Sequence, residues 1–526
     1  MCVKRVVSAG WACTILLFIS ALQAAPVLIE INLENKSDFE YARTLNLSPL
    51  ARWGNLFLAE IEESALSSLE QQGIPYEAIN RKPDIQKNFL LAPHPGIQTS
   101  LVARMLGKAV LNHTEQFYAQ LSSAEVENLR AEGVSVVEIG EEPIPFTYVS
   151  PLQVKMPSVA ATDWIQTLVD QISQDSLLAY TQRLQNFQTR FSYSDSIASA
   201  REWLVDKFTS FGIDSVYLHH YFYDSDQWNV VATVLGTSEP DALIVVGGHY
   251  DSVTYGQSPG PTTYAPGADD NGSGTAATLE LARIIANNPL PQTVVFVPFA
   301  QEEQGIIGSN AYASEAFSQG DDIRCMFNMD MIGYKPNSTS VKVLHDPPSL
   351  PVADLMMSLA PTYAGLTVAK GSASSNSDHW YFMQHGYRAV FAHEYIFNNQ
   401  GWHRNTDLTD SMNFDYMTKV VKLVMATMAS LSQSSCQDYA GDVNNDDNAT
   451  LADVIHLVNY VFDKDRPATG CLGSGPGNCW TFDPWCQGNV NGDNVISLVD
   501  VIYLVNFVLG KPGNWTPVPS GSCCVI

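Results

Sequence analysis

The spacing of hydrophobic positions changes along the chain, and each change marks a different kind of structure. Between about Ala160 and Ser432, short apolar runs at Ala242–Gly247, Val294–Phe299, Met326–Met331 and Ala389–Ala392 are bounded by polar or glycine-rich turns. Helical spacing appears around them, over Thr162–Leu178, Ser196–Phe211, Ala276–Ala286 and Met417–Leu431. Continuous apolar runs of strand length are what strands buried on both faces require. Their alternation with helices predicts a three-layer αβα domain, residues 156–433, with a mostly parallel central sheet. Ligands of such sheets gather beyond the carboxyl ends of the strands.

The segment before it, residues 26–150, contains a repeat. Phe57-Leu-Ala59, Leu69, Gly73 and Ile79 recur as Phe117-Tyr-Ala119, Leu129, Gly133 and Ile139, at a constant offset of 60 residues. Each copy reads as a strand, a helix beginning near Ser64 or Ser123, a glycine that stops it, and a second strand. Two copies predict one small duplicated α/β domain. No residue in it suggests chemistry, so a structural or folding-assistance role is expected, with an inhibitory pro-segment as the alternative. Pro151–Pro157 reads as a linker. Beyond Cys436 the pattern changes again: two acidic loops each run into an apolar helix, Val454–Phe462 and Val501–Leu509, predicting a small all-α module over residues 436–526.

At 526 residues the chain is long enough for about three domains. Its 45% hydrophobic and 16% charged content suits packed cores. Asp and Glu outnumber Lys and Arg by 55 to 28, a formal charge of −27. That surface repels phosphates and anionic lipid, so nucleic acid is not an expected partner. Residues 1–25, with Lys4-Arg5, an apolar core ending at Ile19 and small residues near Ala25, read as a secretory signal peptide. No later run is long enough for a membrane span, and a secreted protein is expected. Cys325 stands alone and is expected to be a buried thiol. Cys436, Cys471, Cys479, Cys486, Cys523 and Cys524 cluster at the end, where disulfides are expected without a pairing that the sequence can choose.

Candidate chemistry falls where the central apolar runs stop. His249 and Asp251, two apart at a strand end, share a face, so His249 can bind metal while Asp251 holds the other ring nitrogen. The Gly267–Gly274 loop places Asp270 before a helix, where a carboxylate can bridge two ions; Asp269 is not excluded by spacing. Glu302 and Glu303 follow Val294–Phe299. Adjacent residues of an extended chain point oppositely, which leaves Glu303 as ligand and Glu302 free as general base. Asp330 and His403 complete the set: His249 and Asp330 on one metal, Glu303 and His403 on the other, Asp270 on both. Imidazole and carboxylate without thiolate suit two Zn²⁺ in a catalytic site, and imply peptide-bond hydrolysis.

In residue types, order and setting these segments resemble the secreted co-catalytic zinc aminopeptidases, metallopeptidase family twenty-eight of clan MH, over roughly residues 160–432. The resemblance supports Asp270 as the bridge and implies a cis peptide between Asp270 and Asn271. It also implies hydrolysis of peptides or proteins from the amino end, and places Ser377-Asp378-His379 and Glu394 near the substrate pocket. The sequence departs from the family pattern at Arg404, where many relatives follow the histidine with Thr. A carboxypeptidase or glutaminyl cyclase on the same fold is the alternative enzyme, the cyclases using one metal. An inactive peptidase-like binding protein is the alternative from another class.

In the C-terminal segment, oxygen donors occupy positions 1, 3, 5, 7, 9 and 12 of a loop at Asp442, Asn444, Asp446, Asn448, Thr450 and Asp453. The pattern recurs at Asn489, Asn491, Asp493, Val495 (through its carbonyl), Ser497 and Asp500. These intervals suit two Ca²⁺. Two loop–helix copies of this kind resemble a dockerin, which implies a cohesin-type scaffold domain as partner and attachment of the secreted protein through it.

Overall fold

The computed structural model describes residues 26–33, 35–79, 87–93, 117–131, 134–140, 144–149, 159–397 and 399–434, and, within the C-terminal segment, 441, 443, 449–462, 488, 490–491 and 496–511. The signal peptide, the Pro151–Pro157 linker and the six C-terminal cysteines lie outside the described residues. So do Asp442, Asn444, Asp446, Asn448, Asn489, Asp493 and Val495 of the calcium loops.

The N-terminal segment builds two small sheets. β1 (Val27–Asn32), β2 (Ser48–Trp53), β3 (Leu56–Ile61) and β4 (Tyr76–Ile79) form one, in the order β2-β3-β1-β4. β5 (Lys87–Pro93), β6 (Phe117–Leu121) and β7 (Val134–Ile139) form the other, with β5 central. The repeat therefore begins one strand earlier than its matched residues suggest. β1 and β5 are each flanked antiparallel by the two strands of their own copy. Helices Glu63–Gln72 and Ser123–Ala131 occupy equivalent places, and the first ends on Gly73 at φ +73°, where a side chain would be strained. The two sheets share a core that includes Leu28, Leu58, Leu90 and Val137, and that core continues into the next domain through Ile306 and Trp380.

The large domain carries an eight-stranded sheet of β8 (Ser215–Phe222), β9 (Asp226–Val234), β10 (Glu239–His249), β11 (Gln292–Phe299), β12 (Asp322–Met329), β13 (Ser340–His345), β14 (Thr367–Ser372) and β15 (Ala389–Glu394). Its order is β14-β13-β15-β12-β10-β11-β9-β8. The four adjacent strands β15, β12, β10 and β11 run parallel, and antiparallel pairs join them to β9 and β13. Alternation along each strand splits the core in two. Ile244, Val246, Val294 and Phe296 pack with the helices Gly272–Ile285 and Phe414–Ser434 on one side. Val245, Val295 and Val297 pack on the other with Tyr312 of Ile307–Gln319 and Phe382 of His379–Gln384. Period-two strands between helical layers give the mixed α/β fold with a large, mostly parallel sheet.

The helix expected over Thr162–Leu178 is two, Val159–Val169 and Gln174–Gln185. The Ser173 side chain accepts the Ser176 N–H and caps the second, so the chain turns where apolar spacing alone read straight on. At the C-terminal end, Leu451–Val461 and Leu498–Val508 pack on each other around Val454, Leu457, Val501 and Leu504. Cys325 is a buried free thiol. Among the described residues no helix is long and apolar enough to cross a membrane.

Candidate metal centre

Three parallel strands end at one place. β10 delivers His249, the turn after β11 delivers Glu302 and Glu303, and the residue after β12 is Asp330. Asp270 enters from the loop before the helix Gly272–Ile285, and His403 from a turn far along the chain. Asp270 lies between the imidazoles: its Oδ1 is 3.3 Å from His249 Nε2 and its Oδ2 is 3.2 Å from His403 Nε2. His249 Nε2 is 3.5 Å from Asp330 Oδ2, and His403 Nε2 is 2.9 Å from Glu303 Oε2. Two donor groups result, His249–Asp270–Asp330 and Asp270–Glu303–His403, each with its ligand atoms within 4.8 Å of one another. The structure thus brings together all five residues singled out from the sequence, in the pairs expected. Asp269 turns away, its carboxylate accepting from the Gly333 N–H at 2.8 Å and from Asn399 Nδ2 at 3.0 Å. The Asp270–Asn271 peptide is cis.

The donors fit a pair of zinc ions. His249 Nε2, Glu303 Oε1 and Asp330 Oδ1 are buried polar atoms with no hydrogen-bond partner among the described residues. Such atoms are costly unless a cation takes them. Asp251, Asp270, Glu302, Glu303 and Asp330 put five carboxylates around two imidazoles. The nearby buried Arg190 does not neutralise them by contact, because its guanidinium is spent on the carbonyls of Tyr250, Leu184, Pro266 and Gly267. An N/O set without thiolate is the chemistry of catalytic zinc.

An extended backbone would point Glu302 and Glu303 to opposite sides. The structure separates them by a turn instead, and one residue organises it. Buried Asp251 accepts the N–H of Glu302 at 3.2 Å and of Glu303 at 3.4 Å, and Ser192 Oγ donates to it at 3.1 Å. Its Oδ1 also lies 3.4 Å from His249 Nδ1, whose nearer partner is the Asp251 carbonyl at 3.2 Å. One carboxylate therefore fixes both the ring and the two glutamates. Glu302 Oε2 stands 3.8 Å from His249 Nε2 and belongs to neither donor group.

Burial pushes the Glu302 carboxyl well above the usual range; His249 opposes this, and Glu303 and Asp330 add to it. Burial also raises Glu303, to about 7, reinforced by Asp270. Asp270 goes the other way: burial would raise it, but the imidazoles of His249 and His403 on either side hold it low. His403, which burial would lower, is raised to about 10 by Glu303 and Asp270.

Asp407 and Arg190, to which the sequence pattern assigned no role, support the site. Asp407 accepts the N–H of Asp269 at 3.1 Å and of Asp270 at 3.0 Å, holding the peptide of the shared carboxylate. Arg190 ties that loop to the end of β10. Ser377 Oγ donates to Asp330 Oδ2 at 2.8 Å. Gln301, Ile306, Met331 and His403 all hold positive φ, between 52° and 63°, each at or beside a site residue. Asp378, His379 and Glu394 are buried behind the centre; neither they nor Ser377 lines the cavity in front of it. That cavity, of about 100 Å³, is walled by Met331, Phe391, Phe397 and Trp402 on the catalytic domain, and by Arg130 and Val134–Val136 of the N-terminal unit.

With this geometry in place, the chain can be set beside known proteins. The family model described as Peptidase family M28 matches residues 229–428. A probable zinc metalloprotease of Pyrenophora teres f. teres is 30% identical over 340 residues, 55% of this chain and 70% of that protein. A probable leucine aminopeptidase of Arthroderma otae is 26% identical over 324 residues, 58% of this chain and 86% of that protein. The LapA aminopeptidase of Legionella pneumophila shares the fold, with a TM-score of 0.52 and 21% identity over 66% of this chain and 98% of that one. The fold and the paired donor groups define a metal-dependent hydrolase. The chain belongs to peptidase family M28 and is a zinc-dependent enzyme of that class.

Proposed function

We propose that this protein is a secreted aminopeptidase that removes residues from the amino end of peptides with two zinc ions, and that a calcium-dependent docking module tethers it. The observation that carries the catalytic reading is Asp270, whose two oxygens face the two imidazoles at 3.3 and 3.2 Å, with Asp330 and Glu303 completing the separate groups. Zinc bound by these residues supplies an acidified water and a Lewis acid for the scissile carbonyl.

The chain's own residues do the rest. Glu302, unbound to either donor group, takes the proton of the attacking water on its carboxylate and returns it to the leaving nitrogen. Asp251 keeps the base from drifting by holding its backbone. A relative named as a probable leucine aminopeptidase supports cleavage at the amino end of the substrate.

Support for the docking module comes from the two helices Leu451–Val461 and Leu498–Val508. Each begins with a capping box, Thr450 with Asp453 and Ser497 with Asp500, at the ninth and twelfth positions of its loop. Leu451 and Ile455, and their counterparts Leu498 and Ile502, are exposed at matching places, as a cohesin-type partner would require.

The test is a panel of aminoacyl nitroanilides with free and acetylated amino ends. Hydrolysis of the free series, lost on acetylation, is expected. Equal hydrolysis of both would reject the exopeptidase reading.

A further inference from the structure

A second cavity, of about 190 Å³, lies between the N-terminal unit and the catalytic domain, beside the one in front of the metal centre. The two share Arg130 and Gly305 in their walls. Arg130 sits at the end of the helix Ser123–Ala131, and its Nη2 donates to the Val136 carbonyl at 3.1 Å. A Cβ placed on Gly305 would lie 3.0 Å from that nitrogen, so the guanidinium rests on bare backbone at the junction.

This boundary is built into the fold. Arg52 and Gln384 exchange two hydrogen bonds of 2.8 Å, backbone to side-chain amide, across the contact. Trp53 packs on Trp380 with ring centroids 5.6 Å apart, and Ser135 Oγ donates to the Ser375 carbonyl at 2.6 Å. The N-terminal unit is thus a fixed wall of both cavities.

The direction of a bound peptide follows from the proton inventory. Glu302 hands its proton to the leaving nitrogen, so the residue after the scissile bond lies against Glu302. The Glu302 carbonyl accepts from Gly305 N–H at 2.9 Å and Ile306 N–H at 2.7 Å, so this turn leads straight to Gly305 and Arg130. Beyond them the second cavity offers the aromatic side chains of Tyr221, Phe222 and Tyr223, with Glu138 and Asn310 as polar groups. Aromatic walls with a few polar groups suit an extended peptide segment.

We propose that the second cavity binds the part of a peptide substrate downstream of the scissile bond, from about its second residue onward, and that Arg130 at the passage sets how substrate length is read. The proposal rests on the aminopeptidase reading.

The test uses the full chain and three substrates: leucine nitroanilide, leucylglycine and the pentapeptide Leu-Gly-Gly-Gly-Gly. Asn310→Trp fills the cavity and Tyr223→Ala removes its rim. Each is expected to lower kcat/KM for the pentapeptide about tenfold relative to the nitroanilide, through KM. Arg130→Met is expected to change the pentapeptide-to-dipeptide ratio by a similar factor. Equal effects on all three substrates, or none, would overturn the subsite. Should the native chain fail to turn over the nitroanilide, the aminopeptidase reading falls instead. Calorimetric binding of tetraglycine, weakened by Asn310→Trp or not, then still decides the cavity's role.

Discussion

At the level of single residues, two carboxylates that sit in neither donor group, Glu302 and Asp251, govern the site. Glu302 is the base, and its replacement by Gln keeps the shape while removing proton transfer. Turnover should drop by about 10²–10⁴-fold with zinc content unchanged; near-native turnover would reassign the base. Asp251 never needs to touch the substrate, yet it holds His249 and the backbone of Glu302 and Glu303 together. Asp251→Asn should therefore cost roughly 10–100-fold in zinc affinity or activity, read from a metal titration against a chromophoric chelator. The metal-facing residues were legible in the sequence because five such segments, each ordinary alone, fall in one order at strand or loop ends of one α/β domain. Arg190, Asp407 and Asn399 were not, because their roles come from contacts across long stretches of chain. An arginine that satisfies four carbonyls is indistinguishable in sequence from a surface arginine.

Elements are placed by close backbone approach as much as by side chains. A Cβ on Gly274 would stand 1.9 Å from the Met329 carbonyl, so the helix carrying the Asp270 loop sits directly on the end of β12. Gly274→Ala must push the two apart, with an expected loss of about 1–3 kcal/mol or more and of bound zinc, followed by thermal melting and metal analysis.

The helix His379–Gln384 behind the site gives a pH signature. His379 is fully buried, and burial lowers its pKa to about 3. A depressed folded-state pKa contributes stability above the unfolded value of 6.5 and withdraws it as pH falls toward 3. Between pH 7 and pH 5 this one group should remove roughly 2 kcal/mol. His379→Phe should flatten that part of the melting-temperature profile; an unchanged slope would contradict the assignment. Of the strands, β10, β11, β12 and β15 were legible as apolar runs because helices cover both their faces. β8 and β14, at the edges, are largely exposed and carry no such run.

Over the whole molecule, the repeat at an offset of 60 residues announced a duplicated unit but not its place. Only the folded chain shows β7 and Arg130 facing the metal centre, since nothing in the local sequence encodes a contact with residues 240 positions away, as between Ser135 and Ser375. The C-terminal helices Leu451–Val461 and Leu498–Val508 pack on each other. If calcium holds those loops, chelation should raise amide exchange across 451–461 and 498–508 and leave the catalytic sheet unaffected.

The most direct test of the central claim is metal stoichiometry. Zinc measured by mass spectrometry on the purified chain should be two per molecule, falling in Asp270→Ala because both donor groups lose a ligand. One zinc or none in the native chain, or two retained without Asp270, would contradict a shared carboxylate between paired ions.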